Sequence, residues 1–349
     1  MGPAAPTRHT LAGNYDFCRV INGGWQLSPG HSAGRPDPDA TVEAWTRLVE
    51  AGFTTFDVAD IYTGVEELAG RVAARFEPGR VQVHTKCVPD RSRLPGLRPA
   101  EIEAMIDESL RRIGVERIDL VQFHWWDFGI DGWIESLETL HRLREAGKIR
   151  HLGVTNVDAA RLEALLDAGL PIRTNQVQYS LLDRRPGGEL TETCRLRDVG
   201  LLAYGTLAGG LLSKRWLGEP RPDPTMINRS LVKYLLIVDE CGGWDALQER
   251  LETLSAIADK HAVDPAIVAV RWVLERGSVA AAIVGAAGAG YVERNSRLFD
   301  FCLDSEDHLA LERDVPGGLQ GRVYGLERES ERHSSIMRYE LQGKKKGGP

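Results

Sequence analysis

Four residues in the first half of the chain have side chains suited to moving a proton at a carbonyl: Asp57, Tyr62, Lys86 and His124. Asp57 sits in the apolar run Thr54-Thr55-Phe56-Asp57-Val58-Ala59-Asp60-Ile61-Tyr62, which begins as a buried strand. A carboxylate buried in such a run is costly unless a cation or hydrogen-bond donors meet it. The strand-like run Val81-Gln82-Val83-His84-Thr85-Lys86-Cys87 carries a lysine near its end, and Ile118-Asp119-Leu120-Val121-Gln122-Phe123-His124 ends in a histidine. Three successive strands thus deliver Asp, Tyr, Lys and His to one end of a parallel sheet, where ligands bind. A free tyrosine, with a pKa near 10, is a poor acid or base at neutral pH. A neighbouring ammonium favours its phenolate, and a carboxylate holds that ammonium charged. The tyrosine can then protonate a carbonyl oxygen that is gaining charge, while a histidine orients the same oxygen. The set fits carbonyl reduction, given a hydride donor on the other face of the carbonyl.

The elements that must hold these residues alternate strand and helix. Inner strands are read at Arg19–Trp25, 54–62, 81–87, 118–124, Ile149–Asn156, Arg173–Ser180, Gly200–Thr206 and Val279–Gly285. Helices between them are expected from Asp39, as cap, to about Ala51; from Glu66 to Phe76; from Pro99 to Ile113; from Trp133 to Ala146; from Asp158 to Ala168; over about 189–198; from Trp244 to His261 and on to Glu275; and from Tyr291 to Phe299. Residues 207–243, rich in Gly, Pro and Arg, read as a long insertion after the seventh strand. Eight alternations close a (β/α)8 TIM barrel with a filled interior. The competing open doubly wound sheet lacks its G-x-G-x-x-G signal. The expected organisation is one domain over residues 1–349, with a core at about 15–305 and a C-terminal extension over about 306–349.

Composition narrows the partners. The chain has 349 residues, of which 42% are hydrophobic and 27% charged, with a net charge of −7. That is an ordinary globular balance, and it lacks the basic face that nucleic acid requires. The five cysteines include no C-x-x-C and suggest neither a disulfide framework nor a metal site. No apolar run approaches the ~18 residues of a membrane span, and Met1–Arg8 lacks the apolar stretch of a signal peptide. A cytoplasmic protein, monomeric or homo-oligomeric, with a small-molecule carbonyl or alcohol as partner is expected.

Several segments taken together resemble the aldo-keto reductase family: Asp57-Val58-Ala59-Asp60-Ile61-Tyr62, His84-Thr85-Lys86, Val121-Gln122-Phe123-His124-Trp125, Leu152-Gly153-Val154-Thr155-Asn156, Asn175-Gln176-Val177-Gln178-Tyr179-Ser180, and Tyr204-Gly205-Thr206-Leu207-Ala208-Gly209-Gly210-Leu211-Leu212. The resemblance spans roughly residues 15–305. It implies a (β/α)8 barrel and reversible hydride transfer between a nicotinamide and an aldehyde or ketone, with Asp57, Tyr62, Lys86 and His124 as the catalytic tetrad and Tyr62 as general acid. It implies that Thr155, Asn156 and Gln176 hold the carboxamide and that Tyr204 stacks on the nicotinamide. Gly205, Thr206, Leu207, Gly210 and Leu212 match the pyrophosphate side, with Arg215 in place of a usual lysine. Glu293 and Asn295 match the adenine end, and Gly24, Trp25, Asp57, Val284 and Gly285 complete the expected cofactor site. Trp25, Tyr62, His124, Trp125 and Trp126 are the expected substrate contacts.

One departure bears on the cofactor. The family commonly places a basic and then a small polar residue after the eighth strand to clasp the 2′-phosphate of NADP. Here Ala287 and Gly288 stand there, with Arg294 as the nearby substitute cation. NADP is the cofactor implied, and NAD is left open. So are other readings of single residues. Asp57 and Lys86 also fit a structural ion pair, and Thr155-Asn156 a helix cap. Gln176 also fits a partner for a neighbour's backbone, and Trp25, Trp125 and Trp126 fit rim packing. Two alternatives for the whole chain remain: an NAD-linked alcohol or sugar dehydrogenase of a biosynthetic pathway, and a regulatory binding protein like potassium-channel β-subunits, which share the family's features.

Overall fold

The computed structural model describes residues 5–28, 37–286, 290–313 and 318–337. Two strands, β1 (Arg8–Leu11) and β2 (Tyr15–Cys18), form an antiparallel hairpin. Eight more, β3 (Val20–Gly23), β4 (Thr55–Asp57), β5 (Gln82–Cys87), β6 (Ile118–Phe123), β7 (Ile149–Thr155), β8 (Ile172–Gln178), β9 (Gly200–Tyr204) and β10 (Val279–Gly285), pair in parallel into a closed barrel. The last joins the first through the register Ala282↔Val20 to Gly285↔Gly23. The eight inner strands are those read from the sequence. The second is shorter than expected: after Asp57 the chain leaves the sheet, and residues 58–62 form the turn that carries Tyr62.

Alternation along each strand sorts the side chains. On β5, Gln82, His84 and Lys86 share a face; on β6, Leu120 and Gln122 share one that His124 continues; on β8, Thr174, Gln176 and Gln178 do the same. Asp57, Lys86, Gln122 and Gln176 are all buried, and they join one hydrogen-bonded layer near the carboxyl ends of the strands. Gly153 is part of that fit. A Cβ there would meet Thr174 Oγ1 at 2.1 Å and Gln122 Cγ at 3.3 Å.

The hairpin closes the other end. Leu11, Tyr15 and Phe17 pack with Ile21, Leu120, Leu202 and Ile283 in an apolar floor. The Tyr15 hydroxyl lies 2.9 Å from His84 Nε2. Sequence periodicity did not mark this hairpin, because two four-residue strands are shorter than the window over which alternation can be counted.

The outer helices follow the expected order with shifted ends. The first runs Pro38–Glu50, and its cap is Asp37, not Asp39: the Asp37 carboxylate accepts from the Asp39 backbone N–H. The second covers Val65–Ala73. The larger correction concerns residues 207–243, expected as irregular chain. They contain short 3-10 turns and a three-turn helix, Arg229–Glu240, capped by Asn228 and buried through Tyr234, Leu235, Ile237 and Val238. The C-terminal region adds helices Ser305–Arg313, Gly325–Glu329 and Glu331–Met337. It returns to the carboxyl end of the barrel. Leu319 bridges Asp183, and buried Arg185 is held between Asp183 (2.6 Å) and Glu327 (2.8 Å).

Candidate active site

At the carboxyl end of the barrel lies a cavity of about 400 Å³. Its wall includes Trp25, Asp57, Tyr62, Lys86, His124, Trp126, Thr155, Asn156, Gln176, Tyr204, Gly205, Thr206, Leu207, Gly210, Val284 and Gly285. Sixteen residues singled out from the sequence therefore meet in one place. The chemistry starts at its base. The Lys86 ammonium donates to Asp57 Oδ2 at 2.6 Å and to the Val58 carbonyl at 2.8 Å. Asp57 Oδ1 accepts from Gln176 Nε2 at 2.6 Å and Gln122 Nε2 at 3.1 Å. Both members of the ion pair are buried, at 7% and 6% side-chain exposure, so neither charge is screened by water. The ammonium stands 5.0 Å from the centre of the Tyr62 ring, and the Trp25 ring packs against that ring at 5.0 Å.

The electrostatics depart from the expectation in one respect. Burial pushes the Tyr62 phenol pKa up, the Lys86 ammonium pulls it down, and burial wins, so the net direction is upward. Tyr62 is therefore protonated across the neutral range. For Lys86, burial opposes the charge, but Asp57 and Tyr62 more than offset it and the pKa rises. The lysine stays an ammonium.

His124 Nδ1 lies 2.6 Å from Thr155 Oγ1, and its buried Nε2 has no hydrogen-bond partner among the described residues. Burial, with help from the Arg328 and Lys86 charges, lowers its pKa to about 3, so the ring is neutral. Trp126 packs edge-on against it at 4.5 Å. Thr155 thus faces the histidine, and the helix Ala159–Asp167 is capped by Asp158, whose carboxylate accepts from the Arg161 N–H. The capping alternative for Thr155 and Asn156 falls. Asn156 takes a left-handed backbone (φ 55°), and its Oδ1 accepts from the Tyr204 hydroxyl at 3.0 Å. Gln176 bonds Asp57 and Gln122 side chains, not backbone.

Other expected residues lie off the cavity wall. Trp125 is buried, packs on Phe123 and donates to the Ile130 carbonyl, as the rim-packing reading has it. Gly24 is a packing glycine whose N–H donates to the Asp57 carbonyl; a Cβ there would meet Val65 at 2.6 Å. Leu212 is in the core, Arg215 stacks on Trp216 at 5.1 Å, Asn295 is buried and Glu293 is exposed. Ala287, with Gly288, lies outside the described residues.

The cavity also has walls that sequence reasoning missed. Lys233 and Tyr234 come from the helix Arg229–Glu240, and Tyr324 and Ile336 from the C-terminal region. Arg328 ties that region down by donating to the Asn156 carbonyl at 3.0 Å. Tyr234 packs against Gly205 and Gly209, both at positive φ; a Cβ on either would meet its ring or hydroxyl at 2.5–2.6 Å. The helix was legible in principle, since Leu231, Tyr234, Leu235 and Val238 fall at helical spacing after the cap Asn228. Among the described residues no group of His, Cys, Asp and Glu side chains could hold a metal, and no helix is long and apolar enough to cross a membrane.

Residues 19–313 match the family model described as the aldo/keto reductase family. The flagellar radial spoke protein 5 of Chlamydomonas reinhardtii is 32% identical over 299 residues, a match covering 68% of this chain and 56% of that protein. The NADH-specific methylglyoxal reductase of Escherichia coli (strain K12) is 25% identical over 311 residues, 83% of this chain and 92% of that protein. Among solved structures, the glycerol dehydrogenase from Gluconobacter oxydans superposes with a TM-score of 0.75 at 27% identity, covering 88% of this chain and 94% of that one.

Proposed function

Because the chain belongs to the aldo-keto reductase family, whose members carry out nicotinamide-dependent carbonyl chemistry, we propose that it reduces an aldehyde or ketone with NADPH and that Tyr62 is the proton donor. The observation that carries this is the buried set at the base of the cavity: Asp57 paired with Lys86 at 2.6 Å, the Lys86 ammonium 5.0 Å from the Tyr62 ring, and a neutral His124 whose Nε2 has no partner among the described residues.

Each residue then has a physical task. Asp57 and the Val58 carbonyl hold the Lys86 ammonium in place. Lys86 lowers the cost of the charge that Tyr62 acquires as its proton leaves. With the Thr155 hydroxyl as donor to Nδ1, the His124 proton sits on Nε2, where it can hydrogen-bond the carbonyl oxygen. Tyr62 gives its proton to that oxygen as charge builds there. When bound, the nicotinamide supplies the hydride. The cavity suits it: Asn156 and Gln176 present amides, and the half-buried Tyr204 ring, anchored through its hydroxyl to Asn156, offers an aromatic face. Trp25 and Trp126 shape the apolar side that would take the substrate.

For the cofactor's form, Arg294 on the cavity wall favours NADPH. Its guanidinium lies over the Tyr291 ring at 4.3 Å and, with no ion pair among the described residues, would meet a phosphate at that side of the cavity. The Escherichia coli relative is named NADH-specific, and the solved relative is named a dehydrogenase, so the form and direction are tested together. Titration with NADPH and NADH, followed by tryptophan quenching, should give at least about tenfold tighter binding of NADPH, with the difference largely lost in Arg294→Met. Equal affinities in the unaltered protein would favour the NAD-linked reading. Binding of neither cofactor would favour the non-enzymatic one.

A further inference from the structure

Three cations on the cavity wall are already accounted for: Lys86 by Asp57, Arg229 by the Ile336 carbonyl, and Arg294 by the proposed cofactor phosphate. Lys233 is not. It projects from the helix Arg229–Glu240, and its ammonium rests among three tyrosine rings, 5.1 Å from the centre of Tyr204, 5.3 Å from Tyr234 and 5.9 Å from Tyr324. Among the described residues it makes no hydrogen bond and no ion pair.

The acids near it are engaged elsewhere. Glu327, whose charge it feels most, spends both oxygens on Arg185 at 2.8 Å. Asp183 is taken by Arg185 and by Gln178. Ring faces attract a cation but cannot accept its three N–H bonds. Burial has already drawn the Lys233 pKa down to about 8, which leaves the ammonium form dominant at neutral pH. Loops and helices far from the strands thus place a half-buried ammonium, without an anion among the described residues, on the wall of a binding cavity.

We infer that Lys233 is the seat for an anionic oxygen group, a carboxylate or a phosphate, brought into the cavity by the bound ligand. The chemistry is the same whether the group belongs to the carbonyl substrate or to the dinucleotide. If it belongs to the substrate, the substrate class is an aldehyde or ketone with a carboxylate or phosphate tail. That assignment rests on the carbonyl-reduction reading; the anion seat itself does not. The three rings support the role, because they hold a long flexible side chain in one place beside the cavity.

The test compares the unaltered protein with Lys233→Met and Lys233→Arg. Steady-state kinetics use succinic semialdehyde, which carries a distal carboxylate, and butanal, which does not. NADPH, inorganic pyrophosphate and succinate are titrated separately by calorimetry. A substrate anion predicts that Lys233→Met loses about tenfold or more of the preference for succinic semialdehyde over butanal, through KM, while the NADPH Kd stays within twofold. A cofactor anion predicts the reverse: NADPH and pyrophosphate weaken about tenfold and the preference holds. In either case Lys233→Arg keeps most of the effect, which a merely structural lysine in a tyrosine cage would not require. The inference is overturned if Lys233→Met, folded by its melting temperature, changes neither the preference nor any anion's Kd. If the unaltered protein turns over neither aldehyde, the carbonyl reading fails by itself. Loss of pyrophosphate or succinate binding in Lys233→Met would still uphold the seat, and unchanged binding would refute it.

Discussion

Replacing Lys86 by Met removes the cation from a buried pair and leaves Asp57 charged among apolar strands. The structure sets the size of the penalty. Breaking a buried ion pair by removing one partner costs roughly 3–5 kcal/mol. Here Asp57 keeps two amide donors on Oδ1, from Gln122 and Gln176, and loses the Lys86 donor on Oδ2. The Val58 carbonyl loses its ammonium donor as well. The retained amides place the expected loss at the lower end, about 3 kcal/mol. The double variant Lys86→Met, Asp57→Asn removes both charges and should recover most of that stability, because the residual cost is only an imperfectly paired amide. Neither variant should reduce carbonyls at more than about a hundredth of the normal rate, since the ammonium that stabilises charge on Tyr62 is gone from both. Urea denaturation at pH 7 gives the stabilities, and NADPH consumption gives the rates. The reasoning is refuted if Lys86→Met lies within 1 kcal/mol of the unaltered protein, or if the double variant is no more stable than the single one.

Two further outcomes are expected. Burial, aided by the Lys86 and His151 charges, lowers the His84 pKa to about 3, below its ordinary 6.5. Its neutral form therefore contributes stability that is complete above pH 6.5 and is lost as pH falls toward 3. In His84→Gln the acid-side slope of unfolding free energy, measured by urea denaturation at pH 6, 5 and 4, should flatten by up to about 1.4 kcal/mol per pH unit. Gly70 lies where the helix Val65–Ala73 crosses the helix Pro99–Ile113, and a Cβ there would sit 2.2 Å from the Ile113 carbonyl oxygen. Gly70→Ala should destabilise by about 1–3 kcal/mol in the same assay despite alanine's better helix propensity, because backbone and not a side chain must move.

The tetrad was legible because its members break the pattern of their own strands. Asp57 and Lys86 are charges in runs that otherwise read as buried, and a shared site explains why successive strands each bring a titratable side chain to the same end. The inner strands were legible for the same reason the barrel closes: each is a short, bounded apolar run. Other features were hidden for physical reasons. Trp125 and Trp126 are neighbours in sequence, yet one turns into the core and the other toward His124, a choice made by the Ile130 and Pro89 carbonyls that their indoles meet. The helix Arg229–Glu240 was masked by the Gly, Pro and Arg around it, although its apolar spacing was present. The direction of the Tyr62 shift depended on burial in the folded protein, and no local spacing reports that. Tyr324 and Ile336 reach the cavity through tertiary contacts alone, and Arg328 and the Arg185–Glu327 pair hold that region in place.

The central claim is that Tyr62 gives the proton. Tyr62→Phe keeps the ring against Trp25 and under the Lys86 ammonium, and removes only the hydroxyl. Single-turnover reduction of an aldehyde by the NADPH complex, with the NADPH Kd measured alongside, is the direct test. The account predicts a rate lower by about 10²–10⁴ with the Kd unchanged within twofold. In the unaltered protein, reduction should show no loss of rate from phenol ionisation between pH 6 and 9, because the Tyr62 pKa is raised. A Tyr62→Phe protein that still reduces the aldehyde within tenfold of the normal rate would contradict the account.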